Sequence, residues 1–304
     1  MHRFGQLLFG FALLVAALGV TITTYAVASE QGGGRFVIPT GLVILGLAQL
    51  ARGFLEKPLA LSPLAPPKST SRDFAFYALV AVTAVTFLVT IHWVFLKAPI
   101  EERMGIVQKI FYFHVPSAYC MYLGATACFV GSIAYLLKPT DGRDALARAG
   151  AELSVVFGVI VLTTGPLWAA KAWGVYWTWD PRLTTSMLSL LIYVAYLVLR
   201  AFAGDGQGER RFAAALGILG AANLPIIHYS VQKWSGQHPT VITAKGGGLQ
   251  HADMKIALTL SFVAHTLFAI ALLWARVRVE LAKGRLARAE EDAVDLGVDD
   301  RTEA

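Results

Sequence analysis

Long apolar runs broken by short polar ones dominate the chain from end to end. Eight stretches reach the roughly 20 mostly apolar residues that a membrane-crossing helix needs. They lie at about 5–28, 36–55, 74–96, 115–137, 151–170, 183–202, 212–229 and 255–276. The interruptions, among them "EKPLALSPLAPPKST", "KPTDGRD", "GDGQGERR" and "AKGGGLQ", are polar or rich in Gly and Pro, as loops are. The pattern predicts an all-α polytopic membrane bundle of about eight helices. After Arg276 the chain turns charged and alanine-rich, and "RLARAEEDAVDLGVDD" reads as a short cytosolic helix that frays into an acidic end.

Composition agrees. Of 304 residues, 56% are hydrophobic and only 15% charged, against about 25% charged in soluble domains. The net charge of +6 therefore carries no message about nucleic acid; in a membrane protein the placement of the basic residues matters instead. With the N-terminus cytoplasmic, 17 Lys and Arg fall on inner segments and 9 on outer ones, which predicts both termini inside. The run at 5–28 also admits a signal-peptide reading, with Ala26 and Ala28 as the cleavage site. Its apolar region exceeds the usual 7–15 residues, so it is taken as uncleaved. The two cysteines, Cys120 and Cys128, lie about 12 Å apart along one helix. That is too far to bridge, and they read as small packing residues.

This topology sends three chemically distinctive segments to one face. The helix at 115–137 starts outside, which places His114 at its outer end. The helix at 151–170 delivers "WGVYWTWDP", residues 173–181, to the same side. The helix at 212–229 ends there near His228. Each histidine lies beside a proline: Pro116 suits a first helical turn, and Pro225 can kink a helix end. In the Trp segment, Trp173, Tyr176, Trp177 and Asp180 recur at i, i+3, i+4 and i+7. A short surface helix would line them on one face, leaving Trp179 off it. Asp180-Pro181 also makes a ready start for the next helix.

An aromatic shelf suits a flat apolar ligand, and two neutral imidazoles suit an iron between them. Arg182 and Lys171 are placed to pair with carboxylates on that ligand. Haem b, held by two histidines, has all three features. Zinc would need more protein ligands and would leave the tryptophans without a role. A transporter without haem predicts paired charges inside the spans, and away from their ends those stretches carry almost none, with Glu152 near an inner end and His265 mid-span. A membrane protease has no support, since HExxH does not occur.

"WGVYWTWDPRLT" resembles the WWD signature of haem-handling proteins in cytochrome c maturation. "IFYFHVPSA" and "PIIHYSV" resemble the two histidine motifs flanking it in the haem exporter protein C family, CcmC. The resemblance covers about residues 74–276. It implies a six-helix haem-handling core, here at 72–278; the two-helix extension and linker at 1–71 depart from the family pattern, and a charged cytoplasmic tail follows at 279–304. It implies an inner-membrane protein that binds haem on the periplasmic side, with His114 and His228 as axial ligands. Trp173, Tyr176, Trp177, Trp179, Asp180 and Arg182 would then form the haem surface. It also implies partners: the periplasmic haem chaperone CcmE, the ABC transporter CcmA/CcmB and the small protein CcmD. Such a chain transfers haem rather than catalyses. The alternative is a CcsA-type cytochrome c synthase subunit, whose motif continues differently after Pro and which carries further transmembrane histidines. His265 and His92 are candidates for those, with helix packing the preferred reading of His265. His238, His251 and Tyr229 lie in or beside the last outer loop and are further candidates to line the site.

Overall fold

The computed structural model describes residues 71–203, 206–234, 236–238, 249 and 251–295, with isolated helical positions at 40, 44, 45 and 48. The chain divides into two units, Met1–Thr70 and Ser71–Ala304. The spans expected at 5–28 and 36–55 otherwise lie outside the described residues, as does the acidic end after 295.

The described part of the second unit forms six helices in chain order: α1 (Ser71–His92), α2 (Phe111–Leu137), α3 (Asp141–Trp173), α4 (Pro181–Phe202), α5 (Gln207–Trp234) and α6 (Ala252–Asp295). A π turn, Trp93–Lys97, extends α1, and a 3-10 turn, Ile106–Ile110, leads into α2. Each of the six is long and apolar enough to cross a membrane. In hydrocarbon every backbone N–H and C=O must be satisfied inside the segment, and a helix does this. Hydroxyls on the spans follow the same rule. Thr83, Thr86 and Thr90 each donate to the carbonyl four residues back, at 2.7 Å.

All six expected cores are present, but the helices outrun them. Helix α3 begins ten residues before the predicted 151, and α6 continues to Asp295. At 1.5 Å per residue the 44 residues of α6 span about 66 Å, twice the roughly 30 Å of hydrocarbon. Its charged second half therefore continues beyond the bilayer. Pro116 departs from expectation too. It lies inside α2, not in its first turn, because the helix starts at Phe111, straight out of the 3-10 turn.

Helices α2 and α3 approach so closely that backbone meets backbone. A Cβ added at Gly124 would lie 2.5 Å from Ser154 N, and one at Gly131 would lie 2.5 Å from Ala147 N. Small residues permit this approach between helices in lipid, where packing replaces the hydrophobic drive.

One end of the bundle is tied by charge. Arg200 pairs with Asp144 at 2.8 Å, Arg210 with Asp141 at 3.1 Å, Arg148 with Glu280 at 3.1 Å and Arg276 with Glu280 at 2.9 Å. Arg278 reaches Asp73, which brings α1 into the same network. These pairs join α1, α3, α4, α5 and α6 at the end where α3 starts. The sequence reading, counting few charges in the spans, did not foresee them. The other end of the bundle carries the chemistry.

Candidate functional site

A cavity of about 320 Å³ opens where α2, α3, α4 and α5 meet, at the far end of α3 from the charge network. That is within the range of small-molecule sites, about 300–1,000 Å³. Apolar side chains such as Phe111, Val115, Met121, Leu162 and Ile227 form much of its wall. The rest is chemically distinctive: His114, His228 and His238, the indoles of Trp168, Trp173 and Trp177, and Arg182. Of the eight residues expected at the site, five therefore line one cavity.

The other three do not. Trp179 is 75% exposed and Tyr176 is 65% exposed, and neither lines the wall. Asp180 is buried behind it. The reason is the end of α3. Gly174, at φ +77°, closes the helix after Trp173, the left-handed position that favours glycine. Residues 174–180 are then bends and irregular chain, so the surface helix expected from the i, i+3, i+4, i+7 spacing does not form. Trp173 and Trp177 line the wall because the chain turns between them. Trp177 meets Trp179 edge to face at 5.9 Å, and Trp168 meets Trp173 in the same way at 6.0 Å.

Asp180 holds the frame. One carboxylate oxygen accepts from Arg182 N at 2.8 Å, capping α4, with Pro181 at the first helical position. The other accepts from Gln237 N at 2.5 Å, and a Cβ at Gly236 would lie only 2.6 Å from it. One side chain thus starts α4 and anchors the segment after α5. Asp180→Ala is expected to cost about 2 kcal/mol from the lost cap and the lost charged hydrogen bond. Thermal unfolding in detergent measures this, and the substitution should loosen His238, the residue after the anchored Gln237.

Arg182 works on the same segment. It donates to the His228 carbonyl at 3.0 Å and to His238 Nδ1 at 3.4 Å. Lys171 is exposed and outside the cavity wall. Tyr229 meets the His228 ring edge-on at 4.9 Å. His265 is buried within an aromatic surround of Phe87, Phe113 and Phe157, its Nδ1 2.8 Å from Ser261 O. It lies outside the cavity wall, in a packing role.

Two buried donors on the wall, Trp168 Nε1 and Arg182 Nε, have no hydrogen-bond partner. A buried donor without a partner is costly, and both would be satisfied by an acceptor entering the cavity. Among the described residues no group of three or more His, Cys, Asp or Glu could hold a bare metal ion. Three imidazoles, three indoles, apolar walls and unsatisfied donors instead fit a flat apolar ring with an acidic edge and a metal that brings its own equatorial ligands. Trp168 was missed in the sequence because it sits within an apolar span. The signal available was the adjoining Gly165-Pro166, a break inside α3.

A family model described as "Heme exporter protein C", CcmC, matches residues 61–292. A protein of that name from Bradyrhizobium diazoefficiens is 33% identical over 190 residues, 62% of this chain and 72% of its own. One from Escherichia coli K12 is 36% identical over 179 residues, 57% of this chain and 71% of its own. One from Rhodobacter capsulatus is 28% identical over 214 residues, 70% of this chain and 88% of its own.

Proposed function

The chain belongs to the haem exporter protein C family, and on that premise we propose that it binds haem b in the cavity and passes it on during cytochrome c maturation. The observation that carries this is the meeting of His114 and His228, from different helices, in one cavity with three indoles and two unsatisfied donors. His114 and His228 would hold the iron, Trp168, Trp173 and Trp177 would offer apolar surface to the ring, and Arg182 Nε and Trp168 Nε1 would donate to its propionates. Asp180 supports this arrangement from behind without touching the ligand.

The cavity end is the periplasmic side of a bacterial inner membrane, the orientation that the basic-residue bias favours. Haem would supply an iron for these imidazoles, and because His114 and His228 stand on different helices they would be able to release it separately to a receiver. Trp179 and Tyr176, exposed beside the cavity, are where a receiving protein first meets this one. The receiver is the haem chaperone CcmE, with CcmA/CcmB and CcmD as further partners.

The test is the visible spectrum of protein purified at neutral pH. The wild type is expected to show the bands of low-spin, bis-histidine haem. The double variant His114→Ala plus His228→Ala is expected to lose them. An unchanged low-spin spectrum in that variant would rule out the ligand assignment.

A further inference from the structure

His114 does not stand alone in the cavity wall. Its Nδ1 lies 2.8 Å from Thr164 Oγ1, on the neighbouring helix α3. That hydroxyl is already engaged: Thr164 Oγ1 donates to the Ile160 carbonyl at 2.7 Å, one turn back. A threonine hydroxyl has a single proton and two lone pairs. With the proton given to Ile160, only a lone pair faces His114. With the hydroxyl proton assigned in this way, as at Thr163, the imidazole is the donor, through Nδ1–H. In a neutral imidazole one nitrogen carries the proton and the other the lone pair, so Nε2 is left as the nitrogen able to bind a metal.

Gly165 adds a second constraint. A Cβ at that position would lie 3.3 Å from His114 Cε1 and 3.9 Å from Nδ1. The ring rests against a residue with no side chain, and any larger residue there would press on it. Thr164 and Gly165 thus set the tautomer and the position of one imidazole together. Thr163 offers an internal comparison. It makes the same back-bond, to Val159 at 2.7 Å, in an exposed setting.

We propose that Thr164 is a positioning residue for the haem site: its hydroxyl holds His114 as the Nδ1–H tautomer and strengthens Nε2 as a donor to iron. This rests on the reading of His114 as an axial ligand. Outer hydrogen bonds to ligating histidines fix ring orientation and raise ligand basicity, and losing one typically costs 10–100-fold in metal affinity. A stronger donor favours ferric over ferrous iron, so its loss also moves the reduction potential.

The experiment compares Thr164→Val, Thr164→Ser, Thr163→Val and His114→Ala in purified full-length protein, all checked for wild-type unfolding midpoints. Haem affinity and the midpoint potential of the bound haem are measured. Thr164→Val, close in shape but without the hydroxyl, is expected to weaken haem binding about 10–100-fold and to raise the potential. Thr164→Ser restores both, and Thr163→Val changes neither. If Thr164→Val matches the wild type in affinity and potential while His114→Ala loses haem, the positioning role is wrong and the ligand reading stands. Equal losses in Thr164→Val and Thr164→Ser also overturn it, since the hydroxyl would then not be the active feature. Should His114→Ala keep an unchanged spectrum, it is the ligand reading that fails.

Discussion

Gly150→Leu is expected to leave little folded protein in the membrane. A Cβ at this position would lie 2.3 Å from Cys128 N, 2.7 Å from Gly124 O and 2.9 Å from the Ala127 carbonyl carbon, all backbone atoms of α2. Overpacking usually costs 1–3 kcal/mol because neighbouring side chains can yield. Here none stands between the helices, so α2 and α3 must separate, and the cost should exceed about 3 kcal/mol. Gly150→Ala is the graded version, smaller but still destabilising. Gly142→Ala, on the same helix with nothing within 4 Å, should be neutral or slightly stabilising, since Ala favours helix by about 1 kcal/mol over Gly. Separation of α2 and α3 would reach the cavity as well. The 2.8 Å bond from His114 to Thr164 bridges the same two helices about 21 Å further along. Surviving Gly150→Ala protein is therefore expected to bind haem more weakly. Unfolding in detergent and haem content per folded molecule are the measurements. A Gly150→Ala protein as stable as the wild type would show that the helices part easily.

Hydropathy located the six described helices because a span must be apolar over about 20 residues. It shortened them for the same reason. The first turns of α3 hold Asp141, Arg143, Asp144 and Arg148, residues that end an apolar window. They are helical nonetheless, and acidic residues there suit the helix dipole. The charges also find partners on other helices, which no single window can reveal. The tail of α6 was legible as a helix, but not its unbroken junction with the membrane span.

The shared face was legible from helix counting alone: alternating spans bring His114, the Trp segment and His228 to one end, and both histidines line the cavity with Trp173 and Trp177 of that segment. What misled was local. Four positions spaced like one helical face were read as a helix, but Gly174 stops α3 inside that stretch. Asp180 was equally readable as ligand surface or as cap, and the cap geometry is what the structure holds. Trp168 and Thr164 were invisible for a different reason. An indole or a hydroxyl in an apolar span looks like packing until a neighbouring helix supplies the context, here His114 from α2. Histidine spacing in the sequence could not reveal that.

Asp144→Ala should cost about 3–5 kcal/mol, the usual price of removing one partner from a buried ion pair. Arg200 is only 4% exposed, and its guanidinium meets Asp144 at 2.8 Å. Without the carboxylate that buried charge loses its 2.8 Å partner in a region where water is a poor replacement. Asp144 also holds Arg210 at 3.5 Å, so the substitution loosens α3, α4 and α5 together. The reverse substitution is cheaper. In Arg200→Leu, Asp144 keeps Arg210 beside it, so the carboxylate is still compensated. Replacing both Asp144 and Arg200 with apolar residues of similar volume should recover most of that loss, because the buried guanidinium is removed with its partner and the longer Arg210 contact is what is left unmade. The network is also remote from the cavity. Asp144 and Val161, where the cavity wall begins on α3, are 17 residues apart, about 25 Å along the helix. Folded Asp144→Ala protein should therefore bind haem with wild-type affinity while unfolding at lower temperature, unlike Gly150→Ala, where both fall. If Asp144→Ala and the double apolar variant unfold at the same temperature, the pair is not buried as the geometry requires.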